Sequence, residues 1–381
     1  MKRMIAMLLC ALLLCSAAAC TTRAPVEELP EETVQPTVQP TEKPVETPKP
    51  TEKPVETPEP TPTPEPTPTP EPEPAYRDLF TGAGRDEPNT ARPFAVMINN
   101  LKQAQPQCGI SGADIIYEAL AEGGVTRMMA IFSDIQRAEH LGSIRSIRPY
   151  FIDISLAYGA VTCHAGGSED AYSRIRNEHI ENIDGVRGSY PVEVFYRDQT
   201  RRYSGYAIEH TLFTEGENLR KCAENLNYDL TLPEGYDTGL RFEADGTPEN
   251  GAAAGTIDVR FNSGKSTALS YHADTGLYTA SQHGGSYNDG NTDVPVTFRN
   301  VLAISAATKV LDNYGRLSVN LIGGGSGYYA CGGQYVEITW SRESLSDCFH
   351  YALADGSELV LGEGMTYVAV LAENESVISF S

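Results

Sequence analysis

Residues 21–75 form a segment that cannot build a packed core. Seventeen of the 25 prolines of this 381-residue chain lie there, and the string PTEKPVETPK at 40–49 recurs almost unchanged at 50–59. Proline removes backbone hydrogen-bond donors, and the segment has almost no apolar side chains to bury. We therefore predict a disordered, extended stalk at residues 20–75, which confines folded structure to the residues after it.

The length of this stalk is informative about its use. At roughly 3.1 Å per residue, about 50 residues of polyproline-II character reach about 150 Å. That distance suits a spacer that lifts a domain off a membrane and into a cell wall. A Pro-rich ligand for a partner domain is the competing interpretation, but the repeats lack the aromatic or basic flanks that such ligands often carry.

Residues 1–19 have the pattern of a secretory signal peptide. Two basic residues precede an apolar core at 4–14 that is too short for a membrane span, and residues 16–19 are small. Cys20 follows directly, as in the motif that lipoprotein signal peptidase cleaves. We predict lipidation of Cys20 and an anchored position on the outer face of the cytoplasmic membrane. A plain secreted protein with an incidental cysteine is the alternative.

Charge and cysteine usage exclude several functional classes. The formal net charge is −22 at pH 7, of which the stalk carries −8 and the signal peptide +2, so residues 76–381 carry −16. An acidic folded part is unsuited to nucleic acid as a partner. No C-x-x-C occurs, so neither a metal site nor a cofactor is predicted. The disulfide pairing of the five remaining cysteines stays open: Cys108, Cys163, Cys222, Cys331 and Cys348.

Residues 76–228 alternate between strand and helix patterns. Pro149 suits the first turn of a helix, and Ser168 suits the N-cap of the next one. Thr214, with Glu217 three residues on, predicts a capping box for a further helix. From about residue 239, short alternating runs between turns indicate antiparallel strands. We predict an α+β protein, with an α/β domain at 76–228 and a mostly antiparallel, β-rich domain at 229–381.

Two runs at 113–120 and 125–134 predict a hairpin that turns at the Gly-Gly pair after Glu122. In the register that we favour, Glu118 and Glu122 share a face with Arg127, and Glu118 lies diagonal to Arg127. A slip of one residue would place the two charges on opposite faces.

Charged and imidazole side chains of the first domain are the ligand-binding candidates. Arg145 and Arg148 precede the helix that starts at Pro149, where they could hold a carboxylate or a phosphate. His164 ends a predicted strand, which is where ligands bind in open α/β sheets. Internal ion pairing of the arginines and a core position for the histidine are the alternatives. The full set is Glu118, Glu122, Arg127, Arg145, Arg148, Asp153, His164 and His210.

Long strings of the chain resemble one family. ARPFAVMINN, ISGADIIYEALAEGGVTRMMAIFSD, IRSIRPYFIDISLAYGAVTCHAGGSEDA and HTLFT resemble the N-terminal domain of the YerB-like lipoproteins. LSYHADTGLYTAS, FRNVLAIS, GRLSVNLIGGGSGYYACGGQYVEITWSR and DGSELVLGEGMTYVAV resemble the C-terminal domain of that family. Where the family reads His-Asn-Leu-Tyr, this chain has His-Thr-Leu-Phe at 210–213. The resemblance implies an envelope lipoprotein with an α/β and a β-rich domain, and it implies no reaction.

Two functions of different classes follow. The first is binding or scaffolding at the cell wall through a polar cleft in the first domain, with peptidoglycan or an envelope protein as the partner. The second is a cell-wall hydrolase or transferase that uses Glu118 and Glu122 as paired carboxylates and His164 as a base. No Gly-x-Ser-x-Gly, His-Glu-x-x-His or suitable Ser-x-x-Lys motif occurs, so no catalytic residue is assigned. A purely structural salt-bridge network is the third interpretation.

Overall fold

The computed structural model describes residues 74–381. The predicted signal peptide, the predicted lipidation site Cys20 and the predicted stalk up to residue 73 lie outside the described residues. The helices are α1 (Pro149–Ala157), α2 (Glu169–Asn177), α3 (Gln199–Tyr203) and α4 (Gly216–Asn225). Short 3-10 helices occupy Lys102–Ala104, Ile110–Gly112, Glu122–Gly124, Ile135–Arg137 and Ile208–His210.

Strands make up most of the regular structure. The first ten are β1 (Tyr76–Arg77), β2 (Gly84–Arg85), β3 (Phe94–Asn99), β4 (Ile115–Leu120), β5 (Thr126–Phe132), β6 (Leu141–Gly142), β7 (Val161–His164), β8 (Asn182–Asp184), β9 (Tyr196–Arg197) and β10 (Leu212–Thr214). The others are β11 (Phe242–Glu243), β12 (Ala252–Ala253), β13 (Thr256–Asn262), β14 (Lys265–His272), β15 (Leu277–Gln282), β16 (Gly285–Ser286), β17 (Asn288–Asp289), β18 (Val294–Pro295), β19 (Thr297–Phe298), β20 (Asn300–Ala306), β21 (Thr308–Val310), β22 (Leu317–Val319), β23 (Gly323–Cys331), β24 (Gln334–Arg342), β25 (His350–Leu353), β26 (Leu361–Gly362), β27 (Thr366–Ala372) and β28 (Val377–Phe380).

A central sheet of 11 strands organises the molecule, in the order β12-β24-β23-β20-β27-β4-β5-β3-β7-β8 with β25 added on β24. Strands β20, β27, β4, β3, β7 and β8 run parallel to one another, and β5 runs antiparallel between β4 and β3. Every residue of β3, β4 and β5 is buried. Their continuous apolar sequences fit this position, because strands covered on both faces do not need polar alternation.

Apolar side chains cover both faces of this sheet. On one face, Met128 and Phe132 pack with residues of the second sheet such as Phe261 and Leu269. On the other face, Tyr117 and the apolar residues of α1 form a second core. The second sheet is antiparallel and has the order β16-β15-β14-β13-β28, with β19 added on β15. The predicted α+β class, with a mostly antiparallel second part, is confirmed.

The central sheet crosses the division that we predicted between residues 228 and 229. Strand β27 from the second part pairs in parallel with β4 from the first, for example Val368 with Tyr117. All of residues 74–381 fall in one compact unit. Residues 76–228 and 229–381 therefore share one hydrogen-bonded sheet. Their division into two domains remains a prediction. No helix among the described residues is long and apolar enough to cross a membrane.

Two of the three predicted helix starts are confirmed. Pro149 is the first residue of α1, and the Ser168 side chain accepts a hydrogen bond from the Ala171 amide at the start of α2. The predicted capping box at Thr214 is wrong. Thr214 lies in β10, and its hydroxyl donates to the Val194 carbonyl at 2.7 Å.

The reason for the later start of α4 is packing. Strand pairing holds the chain extended through Thr214, and α4 begins at Gly216. A Cβ atom at Gly216 would lie 1.7 Å from the Ile135 carbonyl oxygen, so α4 approaches the 3-10 helix Ile135–Arg137 as only glycine permits.

The predicted register of the β4–β5 hairpin is also wrong, by one residue. Glu118 pairs with Met128 and Ala119 pairs with Arg127, so Glu118 and Arg127 lie on opposite faces of the sheet. Because both faces are buried among apolar residues, the hydrophobic pattern does not select a register here. The five-residue loop between Leu120 and Thr126 selects it instead.

Candidate functional site

Polar side chains collect at one edge of the central sheet, where its parallel strands end. Asn99 ends β3, His164 ends β7 and Asp184 ends β8, while the antiparallel β5 begins there with Arg127 as its second residue. Ligands of open α/β sheets bind outside the carboxyl ends of the strands. We name this part of the molecule the carboxyl edge.

The segment between β6 and α1 crosses the carboxyl edge and brings two further arginines to it. The Arg145 amide donates to the Met97 carbonyl at 3.0 Å, and Ile147 forms a bridge with Gly167. Arg148 is the N-cap residue of α1. The extended backbone before Pro149 is what proline favours in the preceding residue, and it keeps the Arg148 side chain at the edge.

Four of the candidates meet here, and we name Glu122, Arg127, Arg145 and Arg148 the arginine cluster. Glu122 accepts two hydrogen bonds from Arg148, one from Nε at 2.9 Å and one from Nη2. The same carboxylate lies 3.6 Å from Nη2 of Arg127. Arg145 pairs at 3.4 Å with Glu209, whose side chain is 52% exposed. One carboxylate thus pairs with two guanidinium groups, and the third guanidinium pairs with an exposed carboxylate.

The two inner arginines are almost completely buried. Arg127 is 7% exposed and Arg148 is 8% exposed. Burial and the neighbouring Arg145 lower the pKa of Arg127 to about 10. Burial lowers the pKa of Arg148 as well, and Arg316 adds to the effect. The cluster is therefore a concentration of positive charge within a folded part that is acidic overall, and such a site attracts anions.

Backbone carbonyls fix the orientation of both inner arginines. Arg148 Nη1 donates to the Ile147 carbonyl at 2.7 Å, and Arg127 Nη1 donates to the Ser146 carbonyl. Because these two acceptors belong to the main chain, the guanidinium planes do not depend on Glu122 for their position. A planar, fixed guanidinium is the group that binds carboxylate or phosphate with two parallel hydrogen bonds.

Glu118 lies on the other face of the sheet and is 0% exposed. Its carboxylate pairs with Lys265 at 2.9 Å. Burial alone would raise the pKa of Glu118, but the Lys265 ammonium and the neighbouring hydroxyl groups outweigh it, and the pKa is lowered. The carboxylate also accepts hydrogen bonds from four other side chains: Asn100, Thr126, Thr267 and Tyr367. Glu118 and Glu122 are therefore not a pair of facing carboxylates.

Lys265 is a buried, charged residue of this site that was not among the candidates predicted from the sequence. It is 5% exposed and lies in β14 of the second sheet, 147 positions along the chain from Glu118. The signal was present, since Lys265, Thr267 and Leu269 alternate with outward residues and share the buried face of their strand. A lysine at an inward strand position implies a buried anionic partner.

His164 is 0% exposed and supports the turn that follows β7. Its Nδ1 atom lies 2.8 Å from the Gly166 carbonyl oxygen and 3.7 Å from Asp184. Burial lowers the pKa of His164 more than Asp184, Gly166 and Asn182 raise it. The imidazole is consequently neutral near pH 7, and its polar partners in the described part of the chain are Gly166, Asn182 and Asp184 rather than residues of the arginine cluster.

His210 lies beside the arginine cluster, and Asp153 does not. Glu209 contacts both neighbours, with its carboxylate 3.4 Å from Arg145 and 3.8 Å from Nε2 of His210. His210 also borders a surface pocket of about 420 Å³. Asp153 of α1 instead pairs at 2.6 Å with Arg174 of α2, so it joins two helices.

A further pocket of the described residues is lined by none of the candidates. A pocket of about 530 Å³ lies between the end of α1 and residues 229–237, and Arg92 and Cys348 line it. All five cysteines in the described part of the chain are free thiols. Within residues 74–381, no group of three or more His, Cys, Asp or Glu side chains is placed to hold a metal ion.

Comparison with known proteins agrees with the resemblance seen in the sequence. The Bacillus subtilis (strain 168) protein named "Putative lipoprotein YerB" is 29% identical over 286 residues, which are 74% of this chain and 82% of that protein. Two family models match in order. "Protein of unknown function (DUF3048) N-terminal domain" matches residues 80–229, and the corresponding C-terminal domain matches residues 257–368. This chain belongs to the YerB-like family.

The fold of this YerB-like chain also agrees with a crystal structure of the YerB protein from Bacillus subtilis. The two superpose with a TM-score of 0.68 at 26% sequence identity, over 80% of this chain and 99% of the other. The family predicted from the sequence strings is therefore confirmed by sequence, by both domain models and by fold.

Proposed function

We propose that this protein is an envelope lipoprotein that binds an anionic group of a cell-wall component at the arginine cluster. The observation that carries the proposal is the shared carboxylate. Arg127 and Arg148 are both more than nine-tenths buried, and among residues 74–381 Glu122 is the one carboxylate within 4.0 Å of either. A site with two oriented guanidinium groups and one carboxylate favours a second anion.

The anchor and the stalk supply the location in this proposal. The name of the Bacillus subtilis relative supports lipidation of Cys20, and the Pro-rich residues 20–75 would hold the folded part away from the membrane. Peptidoglycan carboxylates, phosphate groups of wall polymers and acidic envelope proteins all present suitable anions there. The charge of −16 on residues 76–381 makes nucleic acid an unsuitable partner.

The hydrolase or transferase alternative has less support. It needs two carboxylates and a base that reach the same substrate. Glu118 and His164 are each 0% exposed, and Glu118 lies on the opposite face of the sheet from Arg127. No observation within the described residues favours this alternative over binding.

The experiment uses residues 74–381, since they fall in one compact unit and the crystallised YerB chain, 99% of which aligns, matches 80% of this chain. Purified protein is pelleted with insoluble peptidoglycan, and the unbound fraction is measured at two ionic strengths. We expect the double variant Arg127→Gln/Arg148→Gln to lose retention by about tenfold or more, because a lost bidentate contact costs about 1–3 kcal/mol.

The matched control is Arg202→Gln/Arg220→Gln, which changes the net charge equally at exposed or half-exposed positions. It should retain wild-type binding. Equal retention of both double variants would contradict the proposal. Release of soluble products by the wild type would favour the enzyme instead.

A further inference from the structure

We infer that the anionic group bound at the arginine cluster is a carboxylate, and that Glu122 is an internal stand-in for it that must leave before the ligand enters. This inference rests on the proposed function and makes it more specific. It assigns Glu122 the role of a displaceable competitor.

The geometry around Glu122 is that of a bound carboxylate. Its two oxygens face two nitrogens of Arg148, with the Nε–Oε2 distance at 2.9 Å, and one of those oxygens also lies 3.6 Å from Arg127. Two parallel hydrogen bonds between a guanidinium and a carboxylate are the preferred arrangement of these groups. A ligand carboxylate in the same place would make the same contacts.

The two sides of this ion pair differ in how firmly they are held. Arg127 belongs to a buried strand and Arg148 is the N-cap residue of a largely buried helix, and each also donates to a main-chain carbonyl. Glu122 lies in the hairpin loop, and its side chain is 26% exposed against 9% and 10% for the two arginines. The arginines are therefore the fixed part of the site, and Glu122 is the part that reaches it from solvent.

There is open space beside the loop that carries Glu122. The next two residues, Gly123 and Gly124, have φ angles of 76° and 72°, and a Cβ atom at Gly123 would meet nothing within 4 Å. Hydrogen bonds hold the base of the loop, from the Ala121 amide to the Val125 carbonyl and from Asn262 to the Gly124 carbonyl, both at 2.8 Å. Rotation of the Glu122 side chain leaves these two bonds intact.

Charge balance also favours a carboxylate. When Glu122 leaves, Arg127 and Arg148 become two buried cations without a carboxylate within ion-pair distance. A ligand carboxylate restores the same single negative charge in the same planar shape. Phosphate shares the anionic chemistry, but it is tetrahedral and brings more oxygen atoms to a site that now holds a planar carboxylate.

The test titrates residues 74–381 with acetate, with inorganic phosphate and with acetamide at constant ionic strength. The Nε–Hε signals of Arg127 and Arg148 are followed by NMR in the wild type and in Glu122→Gln. We expect acetate to bind Glu122→Gln about tenfold more tightly, because removing an internal competitor raises the fraction of open sites. Acetamide should not bind, and phosphate should bind Glu122→Gln less tightly than acetate.

The matched control is Glu209→Gln, which removes the same charge beside Arg145 without freeing Arg127 or Arg148. It should change the acetate affinity by less than about twofold. Glu122→Ala is the second variant, in case the glutamine amide still occupies the site, and it should behave as Glu122→Gln does.

The outcomes of these titrations distinguish a failure of the inference from a failure of the proposed function. If the wild type binds acetate at these two arginines and neither Glu122 variant binds more tightly, Glu122 is not a competitor, and the proposed anion site survives. If the control tightens as much as Glu122→Gln, general charge explains the effect and the inference fails. Tighter binding of phosphate than acetate overturns the carboxylate assignment. Absence of binding in every variant contradicts both the inference and the proposed function.

Discussion

Glu118 lies in β4, Glu122 lies four residues later in the loop that follows this strand, and the two carboxylates have opposite surroundings. Glu118 is 0% exposed and has five side-chain partners, including Lys265 from the second sheet. Glu122 lies in a glycine-rich loop, keeps 26% of its side chain exposed and pairs with Arg127 and Arg148. The first arrangement fixes structure, whereas the second can exchange its carboxylate for another.

Removing Lys265 should give the largest effect on this comparison. Lys265→Met leaves the Glu118 carboxylate buried without its counter-ion, which costs about 3–5 kcal/mol of unfolding free energy. Chemical denaturation of residues 74–381 measures it. The double variant Glu118→Gln/Lys265→Met should recover a large part of the loss, because neither charge is then left unpaired. A Lys265→Met protein as stable as the wild type would show that the pair does not hold the two sheets together.

Low pH should weaken the ion pair between Glu118 and Lys265 and so reduce the unfolding free energy. The folded pKa of Glu118 is lower than its ordinary value of 4.5, because Lys265 and the hydroxyl donors outweigh burial. Its contribution to stability is therefore complete above the unfolded pKa of 4.5, and it is lost as the pH falls from there through the folded pKa. The wild type should lose more unfolding free energy than Glu118→Gln between pH 5 and the acid limit. Parallel pH profiles for the two proteins would contradict this.

Replacing Arg148 should separate binding from stability. Arg148→Lys keeps the charge but loses the planar pair of donors, so we expect about tenfold weaker acetate binding with about 1 kcal/mol of lost stability. NMR titration and chemical denaturation of the same sample measure the two quantities. If stability falls by as much as in Lys265→Met while binding is unchanged, the arginine cluster is structural and resembles the Glu118 pair.

The smallest effect is expected at the outer ion pair of the carboxyl edge. Glu209 is 52% exposed and lies 3.4 Å from Arg145, so Glu209→Gln should change the unfolding free energy by less than about 0.5 kcal/mol. A larger loss would mean that the Glu209 contacts to Arg145 and His210 order this edge. The loss of unfolding free energy on replacement by glutamine should thus decrease from Glu118 to Glu122 to Glu209, as the exposed fraction of the carboxylate rises.

Local patterns in the sequence were enough for the fold class and for much of the carboxyl edge. Pro149 and Ser168 start helices as predicted, and the position of Arg148 just before α1 brings it to Glu122. These features depend on residues that are close in sequence or on general rules for strand ends.

Pairing between strands and side chains that are distant in the chain could not be predicted from the same patterns. The register of β4 against β5 depends on the loop after Leu120, because both faces of these strands are apolar and the pattern is neutral between registers. The partner of Glu118 comes from another sheet, and periodicity can mark Lys265 as inward without naming what it meets. The parallel pairing of β27 with β4 likewise joins segments that are distant in the chain.

The most direct test of the anion site is an NMR titration of residues 74–381 with soluble peptidoglycan fragments that carry free carboxylates. The account predicts saturable shifts of the Nε–Hε signals of Arg127 and Arg148, larger in Glu122→Gln and abolished by excess acetate. Shifts confined to Arg92, which lines the pocket of about 530 Å³, or no arginine shifts at all, would contradict it.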